Sequence, residues 1–181
     1  MPAVRVSFLD GNEPRAAELR RIAPALELEL VGLPSGYSTS APDPAERARG
    51  MVLAADVFPC IAEAVDLTTV AGDSLRLELD SENDNRFCRW WRETPVRFHL
   101  CVALRTAADA EVALFRGEVA GRIADKPAGL RPLGWDRLFV PDGFDATLAE
   151  LVVAPELGGD GRDPVGLRAR IYGDLVAALE R

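Results

Sequence analysis

Residues 96–104, Val-Arg-Phe-His-Leu-Cys-Val-Ala-Leu, make a near-continuous apolar run of strand length. Such a run suits the middle of a sheet, where both faces are covered. Around it, strand-like and helix-like stretches interleave. Residues 4–9 are a short apolar run that ends at Asp10-Gly11-Asn12, and the segment after it puts Ala16, Leu19, Ile22 and Ala23 along one helical face. Pro14 suits a first helical turn, where its missing N–H has no partner to lose, and Pro24 marks the stop. Residues 26–31 alternate Leu with Glu, the pattern of a strand with one wet face. Residues 34–44 are rich in Ser, Gly and Pro and read as loop. The spacing predicts a helix over 43–57, opened by Pro44, with Met51, Leu53, Ala54 and Val57 turned inward. Strands are expected over 61–67, 74–80, 112–116 and 119–124, the last two on either side of Gly117-Glu118. Helices are expected over 83–92 and 164–179. This interleaving favours an α/β fold with a mixed central sheet over an all-α or all-β one.

A chain of 181 residues with 48% hydrophobic content can bury a core and falls within the range of one domain, so a single domain over 1–181, with two lobes, is expected. No apolar run approaches the roughly 20 residues needed to cross a bilayer, and the N-terminal stretch lacks the charged-then-apolar pattern of a signal peptide. A cytoplasmic protein is the expectation. Cys60, Cys88 and Cys101 are odd in number and widely spaced, which suggests reduced thiols rather than a disulfide framework or a zinc site. The formal net charge of −8 argues against binding to nucleic acid backbones, which relies on basic surface to release counterions. A polyanionic ligand is compatible with that charge only in a local basic pocket.

The stretch 114–151, LFRGEVAGRIADKPAGLRPLGWDRLFVPDGFDATLAEL, packs special-purpose residues into a fixed order. Gly117, Gly121 and Ile123 come first, then a Pro-Gly loop, the Gly134-Trp135-Asp136 corner and Phe139. A Pro141-Asp142-Gly143 turn and Thr147, Ala149 and Glu150 close it. In that order the stretch resembles the inosine/xanthosine triphosphate pyrophosphatases, which hydrolyse deaminated purine nucleoside triphosphates to monophosphate and pyrophosphate. The resemblance covers nearly the whole chain, strongly over 97–150, fairly over 4–23 and weakly over 33–86. It implies a twisted sheet flanked by helices, a nucleotide cleft between two lobes, a purine nucleotide as ligand, Mg²⁺ as cofactor and a homodimer.

The same resemblance assigns roles to particular positions. The family's Thr/Ser-Gly-Asn-x-x-Lys turn corresponds to Asp10-Gly11-Asn12-Glu13-Pro14-Arg15, so Gly11, Asn12 and Arg15 are the candidate phosphate-binding residues. Backbone N–H groups at a helix N-terminus carry partial positive charge and accept phosphate. An ordinary capped turn with an exposed arginine is the rival reading. Phosphoanhydride hydrolysis in the family uses Mg²⁺ and a Glu-Asp pair, the Asp serving as base. Aligned on Glu63 and Leu67, the base position is Ala64, and Asp66 lies two residues on, about 7 Å further along the same strand face. Glu63 and Asp66 are therefore the candidate catalytic residues and magnesium ligands, with Asp66 alternatively a turn residue. For the base, Trp135 offers a stacking face, Asp136 accepts from base N–H groups, and Arg168 donates to a 6-keto oxygen. Trp135 as a core or lobe-interface aromatic and Asp136 as an N-cap or turn residue are the competing readings.

Several family positions are altered. Leu33-Pro34 is followed by Ser35-Gly36 in place of a metal-binding glutamate, the lysine of the next helix is replaced within Arg49-Gly50-Met51, and the purine-reading Ser-His-Arg triplet is Gly166-Leu167-Arg168. His99, the only histidine, reads as a structural mid-strand residue, and the acidic run 80–84 lacks calcium-loop spacing. Trp90-Trp91 could mark an interface or ligand wall, with core packing of one ring as the default. Two functions follow: a divergent pyrophosphatase, or a nucleotide-binding pseudoenzyme that acts as sensor or partner protein. A repurposed nucleotide-processing enzyme is a third.

Overall fold

The structure, a computed structural model, describes residues 3–33, 37, 40–76, 84–152, 163 and 165–181. Six strands, β1 (Val4–Leu9), β2 (Leu26–Val31), β3 (Cys60–Thr69), β4 (Pro95–Arg105), β5 (Ala113–Ile123) and β6 (Phe139–Pro141), form one sheet in the order β2-β1-β3-β4-β5-β6. Strand β1 runs parallel to both β2 and β3, whereas β5 and β6 are antiparallel, so the sheet is mixed as the alternation of elements predicts. Among the described residues five α-helices accompany the strands: α1 (Glu13–Ile22), α2 (Pro44–Ala54), α3 (Asp84–Trp91), α4 (Leu148–Val152) and α5 (Leu167–Leu179). Both proline-opened helices are capped as their sequences suggest. Asn12 accepts from the Arg15 N–H at 3.0 Å, and Asp43 from the Ala45 N–H at 2.9 Å.

The chain divides into two compact units. One comprises Met1–Ala64, Leu100–Gly117 and Gly166–Arg181, the other Val65–His99 and Glu118–Val165, so β3, β4 and β5 each supply residues to both. In the first unit, strand alternation sorts β3 by face. Cys60, Ala62 and Ala64 pack with Ala48, Met51 and Val52 of α2 in an apolar core, while Ile61 and Glu63 turn to the other face. Helices α1 and α5 pack against each other. In the second unit Phe98 of β4 lies against Phe139 of β6, ring centroids 5.1 Å apart, and Phe87 of α3 meets the Trp135 ring edge-on at 5.8 Å.

Residues 112–124 depart from expectation. The two strands anticipated on either side of Gly117-Glu118 are one continuous strand, because Gly117 bends nothing. It makes room instead: a Cβ there would lie 2.5 Å from Leu167 Cδ1 and 3.0 Å from Ile171 Cδ1 of α5. Four residues on, in the second unit, a Cβ at Gly121 would stand 2.3 Å from the Val140 carbonyl oxygen of β6. The Pro141-Asp142-Gly143 turn is closed by a 3.1 Å bond from the Phe144 N–H to the Pro141 carbonyl, with Gly143 at φ +85°, the left-handed value that its third position demands. Thr147 and Glu150 form a capping box at the start of α4. The Thr147 N–H donates to Glu150 Oε2 at 2.8 Å and the Glu150 N–H to Thr147 Oγ1 at 3.3 Å. Of the strand expected over 74–80, Ser74 makes a single bridge to Thr68, and 77–80 lie outside the described residues, as do the acidic run 80–83 and positions 34–36 of the expected loop.

Because the Gly121 clash is with backbone, Gly121→Ala is expected to destabilise the protein by about 1–3 kcal/mol. Urea denaturation checks this. An unchanged midpoint would mean that β6 yields freely.

Candidate functional site

The first unit holds a buried polar cluster assembled from three elements. Glu63, on the face of β3 away from α2, is 9% exposed at its side chain and receives Arg168 of α5, whose Nη2 lies 2.9 Å and Nε 3.3 Å from Oε1. Tyr172, one helical turn beyond Arg168, donates its hydroxyl to Glu63 Oε2 at 3.1 Å. Arg15 of α1 places Nε 3.4 Å from Glu63 Oε1 and pairs through Nη1 with Glu18 on its own helix. Arg15, Glu18, Arg168 and Tyr172 are all 5% exposed or less. Burial pushes the Glu63 carboxyl up, but the Arg168 and Arg15 guanidinium groups and the hydrogen bonds from Arg168 and Tyr172 outweigh it and hold the group below its usual range. Burial, and then the neighbouring Glu63 charge, push the Tyr172 phenol well above its ordinary value.

Beside this cluster is the Asp10-Gly11-Asn12 turn. Asp10 has φ +53°, an uncommon value for a residue with a side chain. Gly11 is required by packing alone, since a Cβ would lie 2.4 Å from Phe8 Cδ1. Asn12 spends its side chain on the Arg15 N–H. Of the three phosphate candidates, Gly11 and Asn12 stand at the entrance to α1, and Arg15 is buried among carboxylates, not the exposed arginine of an ordinary capped turn.

In the second unit Asp66 is 3% exposed. Its Oδ1 accepts from the Leu67 N–H at 2.9 Å and its Oδ2 from Ser74 Oγ at 2.8 Å. The 134–136 corner is shaped by Gly134, whose φ of +53° and ψ of −120° break the 3-10 turns over Arg131–Arg137. Trp135 is half-buried against Phe87, and Asp136 is 1% exposed. Arg137 binds Asp84 of α3 at 2.6 Å. His99 bridges Thr68 Oγ1 at 2.9 Å and Glu118 at 3.4 Å, a structural position in keeping with its sequence context. The three cysteines are free and buried, and burial raises each thiol to about 11.

A model of the Ham1 family matches residues 75–155. The dITP/XTP pyrophosphatase of Nocardia farcinica is 30% identical over 206 aligned positions, spanning 99% of this chain and 96% of its own. The chain belongs to the Ham1 family. The dITP/XTP pyrophosphatase of Frankia alni is 31% identical, spanning 97% of each chain. Among solved structures, a Ham1 protein from Coxiella burnetii superposes with a TM-score of 0.64 at 18% identity over 98% of each chain. A nucleoside-triphosphatase / dITP/XTP pyrophosphatase from Mycobacterium abscessus gives 0.56 at 23%, over 98% of this chain and 100% of that one. The Ham1 fold is thereby established, and with it the α/β class read from the sequence.

Against the Ham1 pattern, Ala64 is a member of the apolar core beneath α2 rather than a base. Glu63 and Asp66, three apart on one strand, point to opposite faces. Glu63 is neutralised by two guanidinium groups, and both Asp66 oxygens already accept hydrogen bonds. A hard divalent cation needs several oxygen ligands with charge to spare. This donor pair does not fit one, and no group of three His, Cys, Asp or Glu among the described residues is placed to hold a metal ion. Arg168, assigned to the purine by resemblance, donates to Glu63. Three residues escaped the sequence reading: Glu18, Tyr172 and Ser74. Only the first two left a signal, as helical neighbours of Arg15 and Arg168 at spacings of three and four.

Replacing Glu63 leaves two buried guanidinium groups without their shared carboxylate, so Glu63→Gln is expected to cost about 3–5 kcal/mol at neutral pH. Because the folded-state pKa of Glu63 is depressed, its contribution is full above the unfolded value of about 4.3 and is lost as pH falls through the folded value. The gap between wild type and variant in urea denaturation therefore narrows below that pH. A gap independent of pH would contradict the ionised pairing.

Proposed function

We propose that this chain hydrolyses a purine nucleoside triphosphate of the deaminated kind, as inosine or xanthosine forms, to the monophosphate and pyrophosphate. The observation that supports this most is the 30% identity to a dITP/XTP pyrophosphatase from end to end of both chains. The first turn of α1, opened by Gly11 and Asn12, offers backbone N–H groups and a positive helix end to phosphate. Arg15 and Arg168 act in this reading behind that turn, fixing α1 and α5 through Glu63. Trp135 supplies the stacking face for the base, and Asp136 accepts from its N–H groups. Asp66, its carboxylate oriented by Leu67 and Ser74, is the group assigned to orient the attacking water. The protein is expected to work in the cytoplasm and as a homodimer. No helix of the described residues is long and apolar enough to cross a membrane.

A second reading has an observation in its favour. Ala64 stands where the family base is expected, and Glu63 is spent on cations, so a nucleotide-binding protein without turnover accounts for the same residues.

Pyrophosphate release from a panel of nucleoside triphosphates, with and without Mg²⁺, separates the two. Hydrolysis predicts release from the inosine and xanthosine forms in preference to ATP, with Asp66→Asn lowering kcat by roughly 10²–10⁴-fold while KM changes little. Silence across the panel from folded protein supports the binding reading, and unchanged turnover in Asp66→Asn removes Asp66 from the mechanism.

A further inference from the structure

A cavity of about 570 Å³ in the second unit is lined by Asn85, Arg89, Arg92, Asp125 and Lys126. None of these residues belongs to the nucleotide assignments above. Positions 85 and 89 are one i, i+4 pair on α3, so the helix offers an amide and a guanidinium group to the same side, and Arg92 joins them from the turn that follows the helix. The stretch after β5 supplies Asp125 and Lys126 opposite them.

The charge of this cavity runs against that of the chain. In a protein of net charge −8, three cations face one carboxylate among the described residues of the lining. That carboxylate, Asp125, lies 3.6 Å from Arg92 with both side chains about two-thirds exposed, a geometry that contributes little attraction. The nearby Asp84 carboxylate is engaged by Arg137 at 2.6 Å and is not available to neutralise these cations. Arg89 and Lys126 make no ion pair among the described residues. Gathering three cations around one concavity costs mutual repulsion, which a bound anion relieves, and a cleft of a single sign raises the local anion concentration. Guanidinium forks suit phosphate oxygens in pairs, and the ammonium adds a mobile point charge.

We propose that this cavity is a binding site for a compact inorganic polyanion of the pyrophosphate or tripolyphosphate class. Among the described residues the lining holds no aromatic side chain, which selects against a nucleoside, since a nucleoside needs a surface on which to stack its base. The acidic chain as a whole selects against nucleic acid, whose phosphates extend far beyond a cavity of this size.

The test is isothermal titration calorimetry of the full chain with sodium pyrophosphate and with tripolyphosphate in metal-free buffer. Arg89→Gln/Lys126→Gln is compared with wild type, and inosine monophosphate is added as competitor. The site predicts saturable binding that weakens with salt, falls by roughly tenfold or more in the double variant, and persists when inosine monophosphate is present. The altered side chains are exposed, so the melting temperature of the variant is expected to match wild type. Absence of binding at millimolar pyrophosphate, equal affinity in the double variant, or displacement by inosine monophosphate would each overturn the proposal. None of these outcomes depends on whether the chain hydrolyses a nucleotide.

Discussion

The Glu63 carboxylate, held between the guanidinium groups of Arg168 and Arg15 and capped by the Tyr172 hydroxyl, fixes how α1, β3 and α5 of the first unit meet. Taking such charges out of water costs several kcal/mol each, so an arrangement in which every charge finds its opposite is strongly preferred over one in which any is stranded. Here Arg15 serves two carboxylates, Glu18 and Glu63, and Glu63 serves two arginines. A one-residue slip of α5 would carry Arg168 about 100° around the helix and separate it from Glu63. The cluster thus specifies register as well as sign. That role explains why residues matched by resemblance to ligand-binding positions are engaged with one another.

Much of this fold was legible in local chemistry. Asn12 and Asp43 cap helices whose first turns carry Pro14 and Pro44, and Thr147 with Glu150 marks the start of α4, because each device acts over three or four residues. The near-continuous apolar run at 96–104 lies in β4, between β3 and β5 in the sheet. What local pattern could not supply is pairing over distance. Glu63 and Arg168 are 105 residues apart, and neither strand periodicity nor helix periodicity says which carboxylate an arginine will meet. The break expected at Gly117-Glu118 failed for a related reason. A glycine inside a strand signals either a bend or a close approach, and only the position of α5 decides between them.

The stretch that most resembles the Ham1 pattern is also the one whose residues the packing explains best. Gly117 admits α5, Gly121 admits the backbone of β6, Gly143 takes a positive φ, Phe139 packs on Phe98, and the Thr147–Glu150 pair caps a helix. Each does its work without a ligand, so the resemblance over 114–151 is first of all information about the fold. The family model's match to 75–155 covers the same ground. Trp135, half-buried, and the buried Asp136 are the positions of this stretch that the proposed chemistry uses, with Asp66 outside it. In the first unit Ala64 belongs to the apolar core, and Leu167 packs where Gly117 leaves space. A chain can therefore keep about a third of its relatives' residues from end to end through positions that build its fold. The residues that hold strands and helices in register are more numerous than those that touch a substrate, and identity counts them all alike.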